Sequence, residues 1–232
     1  MPVFYYTVNI LLSILFAIVT RRQVRGRENV PHRGSLILVS NHLNNVDIPL
    51  LAVSFPRRIV FMAKEELFRS PGGWAVKAYG AFPVRRGFVD RNTLRIARQV
   101  LKEGKVLGIY PEGTRSRTGR LQPARPGVAL IAHESKATLL PVGIYGTEKL
   151  RGAFWWLRRP KVTVNIGKPF ALPTSSDERN KEEMASLTTF IMRHIAGLLP
   201  PDYRGVYGES HQPALNTAST VPAPLRGDKI GG

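Results

Sequence analysis

The hydrophobic pattern divides the chain into three stretches. Val3 to Val19 is apolar and uncharged, and Arg21, Arg22, Arg25 and Arg27 follow at once. From about residue 25 to 202, short apolar runs alternate with helical stretches. The strand-like runs are Leu36–Val39, Arg58–Met62, Ala81–Val84, Val106–Tyr110, Thr138–Ile144 and Val162–Ile166. A helix is predicted from Asp90, a good N-cap, with Leu94, Ala97 and Leu101 on one face and Gly104 at its end. A later helix is predicted from the capping box Ser175-Ser176-Asp177-Glu178. It carries Met184, Leu187, Ile191, Ile195 and Leu198 at helical spacing and stops at Pro200-Pro201. This alternation predicts an α/β fold, a mixed central sheet covered by helices, with an N-terminal membrane-associated helix. The expected units are that helix at 1–24, a domain at 25–202, and a Gly-, Pro-, Ser- and Thr-rich tail at 203–232 expected to be disordered.

The first stretch is about 26 Å long as a helix, against a bilayer core of about 30 Å, so it can either span or lie shallow. No positive charge precedes it and no small-residue cleavage site closes it, which argues against a cleaved signal peptide. The arginines after it place the main domain on the cytoplasmic side of a cell membrane. A buried core helix is the competing reading. Lys149–Arg159 (KLRGAFWWLRR) carries adjacent tryptophans flanked by arginines, suited to a headgroup layer or, equally, to packing on the core.

Charge sharpens the question of partners. The 34 Lys and Arg against 16 Asp and Glu give a net charge of +18, which favours an anionic partner, either nucleic acid or an acidic membrane surface. There is no cysteine, so disulfide frameworks, thiolate metal sites and cysteine nucleophiles are excluded.

Candidate chemistry lies where strands end. Ser40–Asp47 (SNHLNNVD) follows the run Leu36–Val39, and a turn there can bring Asp47 onto the His42 ring. A carboxylate accepting from one imidazole nitrogen fixes the tautomer and leaves the other free to take a proton from a hydroxyl. At this point the bland alternative stands beside it: Asn44, Asn45 and Asp47 as caps of the next helix. Gly80–Gly87 (GAFPVRRG) ends in paired arginines, and Tyr110–Ser116 (YPEGTRS) offers backbone amides, a hydroxyl and a guanidinium. Strand-end loops of an open α/β sheet converge on one cleft, and arginine forks suit phosphate. His32, His133, His194 and His211 have no partner at a telling spacing.

Together these stretches resemble the glycerolipid acyltransferases, whose best-known members are the 1-acylglycerol-3-phosphate (lysophosphatidate) acyltransferases. Asn41-His42 with Asp47 matches the first family motif, Gly80–Arg86 the second, Tyr110–Ser116 the third and Leu140-Pro141-Val142 the fourth, in the right order over residues 25 to 170. The resemblance implies that His42 is the general base and Asp47 its orienter. It implies that Arg86, Glu112, Gly113, Thr114 and Arg115 hold the glycerol phosphate of the acceptor, and that Pro141 helps shape the acyl site. Glu112 fits a phosphate pocket poorly by charge and suits an arginine or a glycerol hydroxyl better. The implied reaction is direct transfer from acyl-CoA or acyl-acyl-carrier protein, with no metal or redox cofactor. The implied partners are a membrane lipid acceptor and an anionic bilayer surface, with acyl carrier protein joining them if it carries the donor. Tyr110 stands where Phe is usual, Leu43–Val46 lacks a common Ser and Trp, and Arg85 adds a positive charge; these departures bear on the choice of acceptor, not on the chemistry. Acylation of the sn-2 hydroxyl of lysophosphatidate is the leading expectation. Another lysophospholipid, glycerol 3-phosphate or a lipid-linked sugar are alternative acceptors. A non-catalytic basic protein binding membrane or nucleic acid is the reading from another class, but no nucleic-acid motif accompanies the charge.

Overall fold

The computed structural model describes residues 2–71, 73–84, 90–173 and 180–208. Seven strands form one sheet: β1 (Arg21–Arg25), β2 (Leu36–Ser40), β3 (Ile59–Lys64), β4 (Phe82–Val84), β5 (Val106–Ile109), β6 (Thr138–Tyr145) and β7 (Lys161–Ile166). Their spatial order is β1-β7-β6-β2-β5-β3-β4. All neighbours are parallel except β6 and β7, so the sheet is mixed. Parallel neighbours need a crossover, which the helices provide.

Side chains alternate between the two faces of each strand, so a strand covered on both sides reads as a continuous apolar run. Every residue of β2 is buried. Leu36 and Leu38 face one core layer with Ile59, Phe61, Val106, Leu140 and Val142. That layer is closed by α1 (Pro2–Val19) and α2 (Asp47–Ser54), which add Phe16, Leu50 and Leu51. Ile37 and Val39 face the opposite layer with Leu107, Ile109 and Leu139, closed by α5 (Arg91–Lys102), α6 (Gly127–Ser135) and α7 (Lys181–Ala196). Two short helices, α3 (Glu65–Arg69) and α4 (Gly73–Ala78), join β3 to β4.

This arrangement positions the site. β2 leads through α2 on one face to β3, whereas its neighbour β5 leads through α6 on the other face to β6. Adjacent strands that send the chain to opposite faces open a crevice beyond their carboxyl ends, where ligands of open α/β sheets bind.

All six strand-like runs are strands, and Asp90 caps α5 by accepting from the Thr93 amide at 2.7 Å. Three boundaries differ from expectation. The arginines after the apolar helix form β1, paired with β7, rather than a mere flank. Arg21, Gln23 and Arg25 are exposed along this edge strand, where charge keeps an unpaired edge from recruiting other strands. The last helix starts at Lys181 behind Asn180, whose side chain accepts from the Glu183 amide at 2.7 Å. The expected capping box lies outside the described residues. The start of the expected tail is built into the fold: Pro201–Tyr203 and Gly205–Tyr207 form two 3-10 turns against the α7 layer, and 209–232 lie outside the described residues.

Candidate active site

His42 stands two residues past the end of β2, and the residue before it holds the chain in place. Asn41 is buried, and its side-chain amide both donates to the Ile144 carbonyl and accepts from the Ile144 amide, each at 2.7 Å. The side chain thereby continues the β2–β6 ladder one step beyond the strand and delivers His42 to the crevice.

The His42 ring meets Asp47 as the spacing implied, with Nδ1 2.8 Å from Oδ2. Oδ2 also accepts from the backbone amides of Leu43 and Asn44, both at 2.7 Å. Asp47 is the first residue of α2 and fully buried, with three partners converging on Oδ2. Because Oδ2 accepts, Nδ1 carries the proton and Nε2 holds a lone pair. The His42 side chain is 12% exposed, enough to be reached from the crevice. The turn brings Asp47 onto the imidazole, whereas the capping reading is not met: Val46 stands at the N-cap of α2 with no side-chain cap bond, and Asp47 is the first helical residue.

A ring stack holds the imidazole flat. Tyr110 lies 4.2 Å from it at 20°, and Phe61 lies behind Tyr110 at 6.1 Å and 9°. Gly108 makes room for this: a Cβ there would stand 2.7 Å from both Ile59 and Phe61. Burial, then the nearby Asp47 charge, pushes the Tyr110 phenol well above its ordinary range, so it stays neutral. The change from Phe keeps the stacking ring and adds a buried hydroxyl.

Glu112 lies inside the fold. It is 3% exposed, and its two oxygens are taken by backbone amides: Oε1 accepts from His42 at 3.1 Å and Oε2 from Gln122 at 3.0 Å. Burial pushes its carboxyl up to about 7, against those two hydrogen bonds and with a smaller push from Asp47. Glu112 thereby ties the third motif to the His42 backbone. Ser116 makes a second tie, its amide donating to the His42 carbonyl at 2.7 Å.

Between those two ties the chain turns outward. Gly113 has φ +66°, its amide donates to the Tyr110 carbonyl at 2.9 Å, and Gly113, Thr114 and Arg115 are exposed beside His42. The third motif thus splits into an inner carboxylate that positions and an outer turn that can meet a ligand. Pro141 stays inside the sheet, buried in β6 opposite Val39, three residues short of the Ile144 level reached by Asn41. Its carbonyl accepts from the Gly167 amide at 2.9 Å just past the last β6–β7 pair, and, lacking an N–H, it returns no bond there, where the ladder ends. Arg86 and Arg85 lie outside the described residues. Among the described residues no group of three or more His, Cys, Asp or Glu could hold a metal ion.

Sequence reasoning offered Asn44 only as a helix cap, whereas its side chain donates to the Thr147 carbonyl at 3.0 Å, and it did not single out Gln122. Both act through backbone groups brought close only by folding, and no spacing signals them.

The acyltransferase family profile matches residues 21–145. A 1-acyl-sn-glycerol-3-phosphate acyltransferase of Bacillus subtilis is 30% identical over 189 residues, covering 81% of this chain and 92% of that one. A chloroplastic 1-acyl-sn-glycerol-3-phosphate acyltransferase of Brassica napus is 32% identical, over 64% of this chain and 45% of the relative, so the chain spans less than half of that longer protein. The crystal structure of the 1-acyl-sn-glycerophosphate acyltransferase PlsC of Thermotoga maritima superposes with a TM-score of 0.64 at 28% identity, covering 84% of this chain and 78% of that one. With the His42–Asp47 pair at the switch point of a matching α/β sheet, the chain belongs to the acyltransferase family that includes the 1-acyl-sn-glycerol-3-phosphate acyltransferases.

Proposed function

We propose that this acyltransferase transfers a fatty acyl group from a thioester, acyl-CoA or acyl-acyl-carrier protein, to the sn-2 hydroxyl of lysophosphatidate, giving phosphatidate. The observation that carries the reading is the pairing of an oriented base with an exposed cationic turn: His42 Nδ1 on Asp47, and Arg115 one residue from the Ser116–His42 backbone bond. The Arg115 guanidinium and the Gly113–Thr114 turn suit a phosphomonoester, with Arg86 as the second cation. Holding the headgroup there sets the neighbouring hydroxyl beside His42 Nε2. Nε2 takes the hydroxyl proton as the oxygen bonds to the thioester carbonyl carbon. The C–S bond then breaks, and the thiolate leaves with the proton carried by the imidazolium.

The reaction would take place at an anionic bilayer on the cytoplasmic side. Among the described residues no helix is long and apolar enough to cross a membrane. One face of α1 is committed to the protein through buried Tyr5 and Phe16, while Phe4, Ile10, Leu11, Ile14, Leu15 and Ile18 are exposed. The tryptophan loop extends the same surface. Trp155 packs on the core, Phe154, Trp156 and Leu157 are exposed, and Arg159 donates to the Ala17 carbonyl of α1 at 2.8 Å. Exposed Arg21, Arg25, Arg27 and Arg158 flank it. An apolar face rimmed by arginines suits a helix lying in the interface rather than spanning it.

The test is an acyl-transfer assay in mixed micelles. Labelled acyl-CoA or acyl-acyl-carrier protein is offered with lysophosphatidate, lysophosphatidylethanolamine or glycerol 3-phosphate. Preference for lysophosphatidate, a loss of at least about 10²-fold in His42→Ala, and a raised acceptor KM in Arg115→Ala are expected. Transfer to another acceptor alone would overturn the phosphatidate reading, and full activity of His42→Ala would overturn the mechanism.

A further inference from the structure

The loop from Tyr110 to Pro126 contains no helix or strand of its own, yet it bears the turn offered to the acceptor. A stretch that long is ordered only if contacts from elsewhere offset its conformational freedom. On the inner side the contacts are those to His42 through Glu112 and Ser116. On the outer side they come from residues 200–208.

Three bonds fasten that segment. The Tyr203 carbonyl accepts from the Leu121 amide at 2.8 Å, and the Tyr207 hydroxyl accepts from the Ala124 amide at 3.0 Å, bracketing Gln122, whose own amide goes to Glu112. The Tyr203 hydroxyl donates to Glu148 Oε1 at 2.7 Å, in the turn whose Thr147 carbonyl receives Asn44. Gly205, at φ +51°, lets the backbone pass so close that a Cβ would stand 2.1 Å from the Leu121 carbonyl oxygen. Leu121 itself is 4% exposed, in the core layer against which both tyrosines pack. From the strap, one chain of contacts runs through Leu121, Gln122 and Glu112 to His42, and another through Glu148 and Thr147 to Asn44.

We propose that Tyr203 and Tyr207 are positioning residues for acyl transfer: the 200–208 segment straps the third-motif loop so that Gly113, Thr114 and Arg115 present one fixed surface to the acceptor headgroup. The proposal rests on the acceptor reading above. It gives the residues after the last helix a part in the reaction.

Tyr203→Phe and Tyr207→Phe remove one hydroxyl each and keep the packed ring. In the full-length protein, initial rates are measured while acceptor and donor are varied separately, alongside thermal melts. Each variant is expected to raise the lysophosphatidate KM by about threefold to tenfold, the usual reach of one hydrogen bond, and to leave the donor KM unchanged. In combination with Arg115→Ala, neither is expected to raise the acceptor KM further, because the contact the strap aligns is gone. Variants that melt earlier but keep the acceptor KM would overturn the strap while leaving the acceptor reading intact. If Arg115→Ala leaves the acceptor KM unmoved and the tyrosine variants raise it, the strap holds and the role of Arg115 is overturned.

Discussion

Asp47→Asn isolates what the buried charge contributes to catalysis. In many His–Asp pairs this substitution turns an amide N–H towards the imidazole and imposes the wrong tautomer. Here the geometry forbids it, because the position of Oδ2 is pinned by two further donors, the Leu43 and Asn44 amides, each at 2.7 Å. The asparagine must place its carbonyl oxygen there, so Nδ1–H stays held and Nε2 stays a base. Only the charge is lost. With charge centres about 4 Å apart and an effective dielectric constant of about 20, the attraction between carboxylate and imidazolium is about 4 kcal/mol. The neutral amide recovers part of that, since a charged acceptor exceeds a neutral one by about 1–2 kcal/mol in a single bond. A barrier rise of about 2–4 kcal/mol corresponds to a kcat loss of about 30-fold to 10³-fold, with both KM values nearly unchanged. Steady-state kinetics measures the loss, and nitrogen NMR of the histidine ring checks that the Nδ1–H tautomer persists. Loss below tenfold with the tautomer intact would refute the claim that Asp47 stabilises a developing imidazolium.

Further outcomes follow from the same geometry. Because the Glu112 carboxyl is pushed up to about 7, the folded state holds a proton between about 4.5 and 7 that the unfolded chain has released, so its contribution to stability declines as pH rises across that window and is level above it. Denaturant melts at pH 5, 6, 7 and 8 should show Glu112→Gln abolishing that slope, an effect of at most about 3 kcal/mol; parallel pH profiles would refute the burial argument. Replacing Ile10 and Ile14 with Asp on the exposed face of α1 should weaken vesicle partitioning by at least about 10²-fold, each immersed side chain being worth about 1.5–3 kcal/mol. Flotation with anionic vesicles measures it, and unchanged melting confirms that this face carries no core contact.

Local patterns in this chain announced what local forces decide. Runs such as Leu36–Val39 and Val106–Ile109 became strands because buried parallel strands must be apolar on both faces. Asp90 became a cap because its side chain needs only the amide three residues on. The His42–Asp47 pair was legible because five residues and one turn suffice to close it. β1 was hidden because pairing with β7, 140 positions away, outweighs the poor strand character of three arginines and a glutamine around Val24.

The sequence by itself therefore determined the layered α/β architecture, the His42–Asp47 pair, and the cationic turn that follows β5. Tertiary structure alone decided that Glu112 faces inward to two amides, that Tyr110 and Phe61 stack on the His42 ring, and that Tyr203 and Tyr207 of the apparent tail bond to Glu148 and to the loop after β5. The division is physical. Periodicity and capping act over a few residues and leave marks at fixed spacing, whereas backbone amides look alike in every residue, so which of them meets a given carboxylate or phenol depends only on where the chain has been carried.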